Sequence, residues 1–187
     1  MTFPSENILL TGEKGVGKST LVSTVLDSIS VPYQGLFTER IFQGRRVYGF
    51  GLKNESERSL EIFAYENNLK ESGYFRYLVD IDVFENKGCT ILSSIREETK
   101  LFVIDEIGIM EREAERFLES FWQLLQSPLP VLAVIQKRAE YIWEQIDPES
   151  GCKIYEITRE NRDSVAKNIL HFLNEILIHS NTSGTGF

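Results

Sequence analysis

The chain has 187 residues, and its 20 Lys and Arg against 28 Asp and Glu give a formal net charge of −8. Hydrophobic residues make up 42% of the sequence, which is typical of a packed globular protein and argues against a disordered or repeat architecture. We expect a single domain over residues 1–178 and a short, frayed tail over residues 179–187. The acidic balance argues against nonspecific binding to nucleic acid or to anionic membranes, because such binding depends on Lys and Arg.

The two cysteines, Cys89 and Cys152, lie far apart and form no C-x-x-C pair. The sequence therefore indicates neither a zinc site nor a disulfide framework. The longest apolar runs, residues 101–104 and 131–135, are the size of strands and too short to span a membrane. The first residues also lack the basic start and apolar stretch of a secretion signal. These features predict a cytoplasmic protein with reduced cysteines and no membrane partner.

Short apolar runs alternate with longer amphipathic segments, a pattern typical of strand–helix units around a mostly parallel sheet. Between residues 35 and 65 three extended segments follow one another instead, which predicts an antiparallel meander with its first turn at residues 43–44. The predicted strands span residues 8–10, 35–42, 47–53, 60–65, 77–79, 101–104, 131–135 and 153–157. The predicted helices span residues 18–29, 82–95, 111–126, 139–146 and 160–178, and residues 105–110 are predicted to form a loop.

A phosphate-binding motif lies between the first predicted strand and the first predicted helix. Residues 12–19 read G-E-K-G-V-G-K-S and fit the pattern G-x-x-x-x-G-K-[S/T]. In this motif the backbone amides surround a phosphate, the lysine reaches the β and γ phosphates, and the serine ligates Mg²⁺. Lys18 is thus predicted to be catalytic and Ser19 to be a metal ligand. The predicted nucleotide-binding residues of this segment are Gly12, Glu13, Lys14, Gly15, Val16, Gly17, Lys18, Ser19 and Thr20.

A second motif follows the apolar run at residues 101–104. Asp105 and Glu106 come directly after it, as expected for a Walker B strand that delivers carboxylates to the sheet edge beside a P-loop. We predict that Asp105 holds the Mg²⁺ shell and that Glu106 orients and polarises a water for attack on the γ phosphorus. The predicted nucleotide-binding residues here are Val103, Ile104, Asp105, Glu106, Ile107, Gly108, Ile109 and Met110.

The two motifs together predict an α/β P-loop NTPase, with a RecA-like, mostly parallel sheet flanked by helices and an antiparallel hairpin or meander added to it. Residues 105–108 also fit the D-x-x-G of switch GTPases. A guanine reader of the form N-K-x-D is missing, because Asn86 and Lys87 lie upstream and Cys89 stands in place of the Asp. The sequence therefore argues against a GTP switch.

The chain also resembles the THEP1-type nucleoside-triphosphatases. Residues 105–111, D-E-I-G-I-M-E, are similar to the family's loop D-E-I-G-K-M-E. Further segments keep the family's order and spacing over about residues 7–170: G-L-F-T at 35–38, G-F at 49–50, Y-L-V-D at 77–80, F-E at 84–85 and T-R-E-N-R at 158–162. The resemblance implies hydrolysis of nucleoside triphosphates with Mg²⁺ and with broad tolerance of the base.

Three residues depart from the family's pattern. Ile109 stands where the family usually has Lys, Arg40 where it usually has an acid, and Val47 where an Arg often precedes the closing G-F. If the family's cation stabilises charge on the γ phosphate, this protein must use another cation or be slower. Arg45 or Arg46 on the adjoining turn could substitute for the missing Arg, although exposed hairpin arginines are common.

Three other residues carry weaker signals. Thr38 could contact Mg²⁺ or the attacking water, or it could lie in its strand because of its β propensity. The family match favours contacts of Asn161 and Arg162 with the base or ribose. The alternative is that Thr158 caps the last helix and that Arg162 lies in solvent.

Two alternatives to hydrolysis remain open. A nucleoside or small-molecule kinase shares the P-loop but needs an acceptor pocket and a closing lid, for which the hairpin over residues 37–52 is a candidate. A nucleotide-gated binding module would hydrolyse slowly, only to reset a conformation.

Overall fold

A computed structural model describes residues 6–67, 76–147 and 149–182, with side chains described as far as Leu177. The strands are β1 (Ile8–Thr11), β2 (Tyr33–Gln43), β3 (Arg46–Asn54), β4 (Glu61–Glu66), β5 (Tyr77–Val79), β6 (Leu101–Ile107), β7 (Val131–Ile135) and β8 (Lys153–Glu156). The helices are α1 (Lys18–Ser28), α2 (Ile81–Val83), α3 (Cys89–Ser93), α4 (Glu115–Gln126), α5 (Glu140–Trp143) and α6 (Arg162–Thr182). A π-helical segment, Phe84–Gly88, joins α2 to α3.

The strands form one sheet in the order β5-β4-β3-β2-β6-β7-β1-β8. From β2 to β8 every neighbouring pair is parallel, whereas β3, β4 and β5 extend the sheet beyond β2 in antiparallel pairs. This arrangement confirms the predicted α/β fold with a mostly parallel sheet and an antiparallel meander. None of the helices in the described ranges is long and apolar enough to cross a membrane.

The sheet separates two hydrophobic clusters. One lies on the face covered by α4 and contains Phe117, and the other lies on the face covered by α1 and contains Leu21. We call these the α4 face and the α1 face. Because side chains alternate along a strand, Leu9 of β1 joins the cluster on the α4 face, and Ile8 and Leu10 join the cluster on the α1 face. The same alternation decides which polar side chains meet at the strand ends.

Several strands begin or end one to three residues away from the predicted bounds, and two differences bear on the acidic pair and on the meander turn. β6 continues through Ile107, so Asp105 and Glu106 lie within the strand and not in a loop. This extension follows from pairing on both sides, since β2 and β7 still contact the strand at Asp105. In the meander, Gln43 belongs to β2, and the turn consists of Gly44, with a φ of +62°, and its successor.

The helix predicted to begin at residue 111 begins later, at Glu115. Glu111 lies in a turn instead, because its carbonyl accepts the N–H of Ala114 at 2.9 Å and its carboxylate accepts the N–H of Gly108 at 2.8 Å. A side chain that bonds back to the preceding backbone competes with helix formation at that point.

The last helix also differs at both ends. It begins at Arg162 and not at residue 160, since the Thr158 hydroxyl accepts the N–H groups of Glu160 and Asn161 in a turn ahead of the helix. At the other end α6 runs to Thr182, so residues 179–182 of the predicted tail are helical, and residues 183–187 lie outside the described residues.

The two other predicted helices are shorter or irregular. The segment predicted over residues 82–95 contains the π-helical turn and ends at Ser93. The segment predicted over residues 139–146 is helical only over α5. Beyond α5 the N–H groups of Gln145 and Ile146 bond to carbonyls three residues back, which is the pattern of a tighter turn.

Asn7 is a fully buried polar residue at the start of β1. Its Nδ2 donates to the carbonyl of Leu125 at the end of α4 at 2.7 Å, and its Oδ1 accepts the N–H of Val131 at the start of β7 at 3.1 Å. The Asn7 side chain therefore connects β1, α4 and β7. It does so at the amino-terminal ends of the parallel strands, and the two sequence motifs lie at their carboxyl-terminal ends.

The variant Asn7→Ala is expected to lower the free energy of unfolding by about 2 to 4 kcal/mol, because it removes the partner of two backbone groups in the interior. Urea unfolding followed by circular dichroism measures this change. Gln123→Ala, at an exposed position of α4, is the matched control and should change the free energy by less than about 0.5 kcal/mol. A loss for Asn7→Ala no larger than that of the control would contradict the role of Asn7.

Candidate functional site

The glycine-rich segment forms a loop between β1 and the first turn of α1. Gly12 and Gly17 have φ values of +136° and +96°, which residues with a side chain rarely adopt. A Cβ at Gly12 would also lie 2.4 Å from the carbonyl oxygen of Ile157, so the backbone approach allows only glycine there. The loop and first-turn residues exposed to solvent are Glu13, Lys14, Gly15, Ser19 and Thr20, while Val16 packs against the hydrophobic cluster on the α1 face.

Lys18 is buried inside this loop, with 8% of its surface exposed. Its Nζ donates to the carbonyl oxygens of Gly12 at 2.9 Å and Glu13 at 3.1 Å. The ammonium is therefore held at the centre of the loop, next to the backbone N–H groups of the α1 amino terminus. This is an arrangement suited to a phosphate group.

The P-loop and the Walker B strand meet through a side-chain contact. The hydroxyl of Ser19 donates to Oδ1 of Asp105 at 3.2 Å. Burial raises the pKa of the Asp105 carboxyl to about 6, with a further rise from the neighbouring Glu106 carboxylate, while the Ser19 hydrogen bond and the Lys18 charge oppose this shift. A hydroxyl and a carboxylate are hard oxygen donors of the kind that Mg²⁺ prefers.

Glu106 occupies a bulge in β6. On the neighbouring strand β7, Val134 lies opposite Asp105 and Ile135 lies opposite Ile107, so Glu106 is the extra residue. The peptide bond between Asp105 and Glu106 is cis. A bulge redirects the side chain of the inserted residue, and the Glu106 side chain is partly exposed at this edge of the sheet.

The apolar residues predicted around the acidic pair belong mainly to the core. Val103, Ile104 and Ile107 have 0% exposure and lie in the two hydrophobic clusters. Met110 packs against the cluster on the α4 face, and Ile109 is 37% exposed. Their side chains support the strand and the loop that carry the polar groups.

Two of the weaker candidates have other partners in this structure. The Thr38 hydroxyl donates to the backbone carbonyl of Asp105 at 3.2 Å and so fixes the Walker B backbone. Arg46 forms an ion pair with the buried Glu66, which also lies 3.5 Å from Arg76. The structure thus places Arg46 on the meander and does not bring it to the P-loop.

Asn161 and Arg162 lie on the other side of the P-loop. The Asn161 side chain accepts the N–H of Thr158 at 2.8 Å and donates to the carbonyl of Glu156 at 2.9 Å, so it closes the connection from β8 to α6. A Cβ at Gly17 would lie 3.0 Å from Cδ and Nη1 of Arg162. The Arg162 guanidinium therefore lies against the phosphate loop.

Glu111 and Tyr141 form a polar support that the sequence reasoning did not single out. The buried Glu111 carboxylate accepts the N–H of Gly108, and the Tyr141 hydroxyl donates to the carbonyl of the same residue at 2.6 Å. Burial raises the pKa of Glu111 to about 7, opposed by the backbone N–H groups around it. Only the resemblance, in which Glu111 ends the D-E-I-G-I-M-E segment, pointed to this residue.

Lys137, which follows β7, was also missed. Its Nζ lies 2.7 Å from Oε1 of Glu156 and 3.5 Å from Oε1 of Glu13 in the P-loop. These carboxylates raise the pKa of the exposed Lys137 ammonium. No motif in the sequence links the three residues, because they come from the P-loop, the segment after β7 and the end of β8.

The geometry defines the class of protein first. A buried loop lysine, a helix amino terminus and a serine in contact with a strand-end carboxylate identify a P-loop nucleotide-binding protein. These groups are contributed by Lys18, Ser19 and Asp105.

Comparison with known proteins gives the family. A sequence profile described as NTPase matches residues 7–170. Nucleoside-triphosphatase THEP1 from Thermotoga petrophila is 31% identical over 172 residues, which cover 89% of this chain and 92% of that protein. The Cancer-related nucleoside-triphosphatase of Homo sapiens is 31% identical over 181 residues, covering 89% and 95%. The crystal structure of THEP1 from the hyperthermophile Aquifex aeolicus matches with a TM-score of 0.74 and 30% identity over 89% of this chain and 98% of that chain.

The chain therefore belongs to the THEP1-type NTPase family, as the resemblance predicted. It is an enzyme of the NTPase class with a P-loop fold.

The Glu111 carboxyl predicts a pH dependence of stability. Its pKa is about 7 in the folded protein against an ordinary value of 4.5, so the folded state binds more protons between these values and loses stability as the pH rises through them. Glu111→Gln cannot titrate and keeps an acceptor for Gly108. From pH 4 to pH 8 the unfolding free energy of the parent should fall by about 3 kcal/mol relative to this variant, as urea titrations would measure.

Asp105 titrates in part of the same pH range, but it is present in both proteins and cancels in the difference. An unfolding free energy with the same pH dependence in the parent and in Glu111→Gln would contradict the assignment of this titration to Glu111.

Proposed function

We propose that this NTPase hydrolyses nucleoside triphosphates to the diphosphate and phosphate with Mg²⁺ as a required cofactor. The observation that carries the proposal is the 3.2 Å contact between Ser19 and Asp105. It brings together, from α1 and β6, the two protein groups that P-loop enzymes use for the metal.

The triphosphate is bound by the segment from Gly12 to Thr20, through backbone N–H groups and the helix dipole. Lys18 gives up its bonds to two loop carbonyls and donates to the β and γ phosphates instead. Ser19 and Asp105 hold Mg²⁺, and both offer the hard oxygen atoms that this ion selects. When bound, Mg²⁺ neutralises charge on the phosphate oxygens.

Glu106 acts as the general base. A water held by its carboxylate attacks the γ phosphorus, the bond from that phosphorus to the β,γ-bridging oxygen breaks, and the water's proton passes to Glu106. Thr38 supports this step indirectly, because its hydroxyl holds the carbonyl of Asp105 on the adjacent residue.

Recognition of the base is loose in this proposal. The sequence lacks the N-K-x-D guanine reader, and both polar ends of the Asn161 side chain are bonded to the β8–α6 connection. Arg162 therefore supplies the contact on this side: its Nε donates to Asp163, and its guanidinium lies beside Gly17. A guanidinium that stacks on the base suits more than one base.

Water is preferred over a hydroxyl substrate as the phosphate acceptor. A kinase would need the hairpin of β2 and β3 as a lid. These two strands pair with each other, and they also pair with β6 and β4, so the hairpin is part of the sheet. We further propose a cytoplasmic protein without a nucleic-acid partner, supported by two free cysteines and a net charge of −8.

The test is phosphate release from each common nucleoside triphosphate with Mg²⁺ and with EDTA. We expect release from all of them with Mg²⁺ and none with EDTA, and oxygen from labelled water in the released phosphate. Nucleosides are added as acceptors in parallel. A phosphorylated nucleoside as product, without labelled phosphate, would favour a kinase.

Glu106→Gln should separate binding from turnover. The amide keeps the size of the side chain but cannot take the water's proton, so turnover should fall by about 10² to 10⁴ while the Mg²⁺-nucleotide affinity stays within a few-fold. Steady-state phosphate release and calorimetric titration with a non-hydrolysable triphosphate measure the two quantities. Turnover within about threefold of the parent would exclude general-base catalysis by Glu106.

Two further variants serve as controls for this separation. Lys18→Ala should lose affinity as well as turnover, because the phosphates lose their buried cation. Asp105→Asn should instead raise the Mg²⁺ concentration needed for half-maximal turnover.

A further inference from the structure

Gln136 lies at the centre of the site although no motif includes it. It directly follows β7, the strand between the P-loop strand β1 and the Walker B strand β6. Val134 of β7 lies opposite Leu10 on one side and Asp105 on the other. Gln136 follows Val134 by two residues, as Gly12 follows Leu10, so Gln136 lies at the level of Gly12 in the P-loop. Two residues of strand extend about 7 Å.

The backbone of Gln136 is fixed. Its N–H donates to the carbonyl of Ile107 at 2.8 Å, and its carbonyl accepts the N–H of Ala139 at 3.0 Å and the indole Nε1 of Trp143 at 3.0 Å. These hydrogen bonds to β6 and α5 fix the position of the Gln136 Cα atom, from which the side chain extends.

The side chain starts on the face that carries the P-loop helix. Val134, two residues earlier, belongs to the hydrophobic cluster on the α1 face, and alternation assigns Gln136 to the same face. Asp105 occupies the equivalent position after Val103 and meets Ser19 of α1 there. Gln136 and Asp105 are therefore on the same face, on adjacent strands.

The Gln136 carboxamide lies against Gly108. A Cβ at Gly108 would be 2.1 Å from Cδ, 2.4 Å from Oε1 and 2.5 Å from Nε2 of Gln136. In this conformation the carboxamide fills the space that a side chain at Gly108 would take. Gly108 itself is held by Glu111 and Tyr141.

The Oε1 atom of Gln136 is buried and has no hydrogen-bond partner among the described residues. A buried acceptor without a partner costs about 1 to 3 kcal/mol, and such groups in native proteins call for an explanation. The backbone of Gln136 is fixed, and its side chain lies between the phosphate loop and the acidic pair. The missing hydrogen-bond partner of Oε1 is explained if that partner is a molecule that takes part in the reaction.

We propose that Gln136 is a catalytic residue whose Oε1 accepts a hydrogen bond from the attacking water. This inference rests on the proposed role of Glu106. The water then donates one hydrogen to Glu106 and the other to Gln136, which directs its lone pair at the γ phosphorus. The proton of the first bond passes to Glu106 as the bond to the bridging oxygen breaks, and Gln136 remains neutral throughout.

The variant Gln136→Leu tests the proposal by keeping the bulk and removing the acceptor. Turnover should fall by about 10², the usual loss for one positioned transition-state hydrogen bond, with KM within about threefold. Affinity for the diphosphate with aluminium fluoride, which mimics the transferring phosphoryl group with its water, should fall by a similar factor. Affinity for a non-hydrolysable triphosphate should not change by more than about threefold.

Gln123→Leu on α4 is the matched control. It should leave turnover, KM and the affinities for the aluminium fluoride complex and the non-hydrolysable triphosphate unchanged. If Gln136→Leu does not unfold cooperatively, Gln136→Met replaces it, since the unbranched chain has nearly the same length. A second route to the same defect is Gly108→Ala, whose methyl group displaces the carboxamide. Combined with Gln136→Leu it should add little further loss, because both variants remove one interaction.

Turnover of the Gln136 variant within about threefold of the parent would overturn the inference. Equal losses of affinity for the diphosphate with aluminium fluoride and for the non-hydrolysable triphosphate would also overturn it, because they would indicate that Gln136 has a structural role. If Glu106→Gln abolishes turnover while Gln136→Leu does not, the role of Glu106 stands and that of Gln136 falls. If the parent releases no phosphate from any nucleotide, the proposed function itself fails.

Discussion

The site depends on the parallel register of β1, β7 and β6. Leu10 and Asp105 lie opposite the same residue of β7, Val134, so the end of β1 and the acidic pair lie at the same level of the sheet. Only β7 separates β1 from β6, so the two strands are about 10 Å apart, and the serine at the start of α1 reaches Asp105 across this distance. A shift of one residue in this register would turn Asp105 to the α4 face and break its contact with Ser19.

Residues close in sequence could be assigned from the sequence, and residues that meet through the fold could not. The P-loop is one continuous segment, and the spacing of its glycines, lysine and serine predicts its conformation. The alternation of apolar runs with amphipathic segments predicts the class of sheet. The bulge at Glu106 and the late start of α4 depend on contacts between separate segments, such as the bond from Glu111 to Gly108 and the pairing of β6 with β7. Gln136 was missed for the same reason.

The meander accounts for the position of two arginines, Arg46 and Arg76. Glu66 is buried, and a buried carboxylate needs a compensating charge. Arg46 and Arg76 supply that charge, so their position serves the stability of the meander. The phosphate loop itself carries Lys14 and Lys18, and Lys137 and Arg162 lie next to it, from the segment after β7 and from α6. None of these cations occupies the position of the family's lysine at Ile109.

The internal bonds of Lys18 also bear on which anions the loop selects. In the described state its ammonium already donates to two carbonyls of the loop, so an incoming anion exchanges hydrogen bonds and gains only the difference. A single small anion, such as inorganic phosphate, gains little by that exchange. A polyphosphate chain gains several further contacts along the loop and the helix terminus at once. The bonds that Lys18 makes within the unliganded loop therefore favour a chain of phosphates over a single inorganic phosphate.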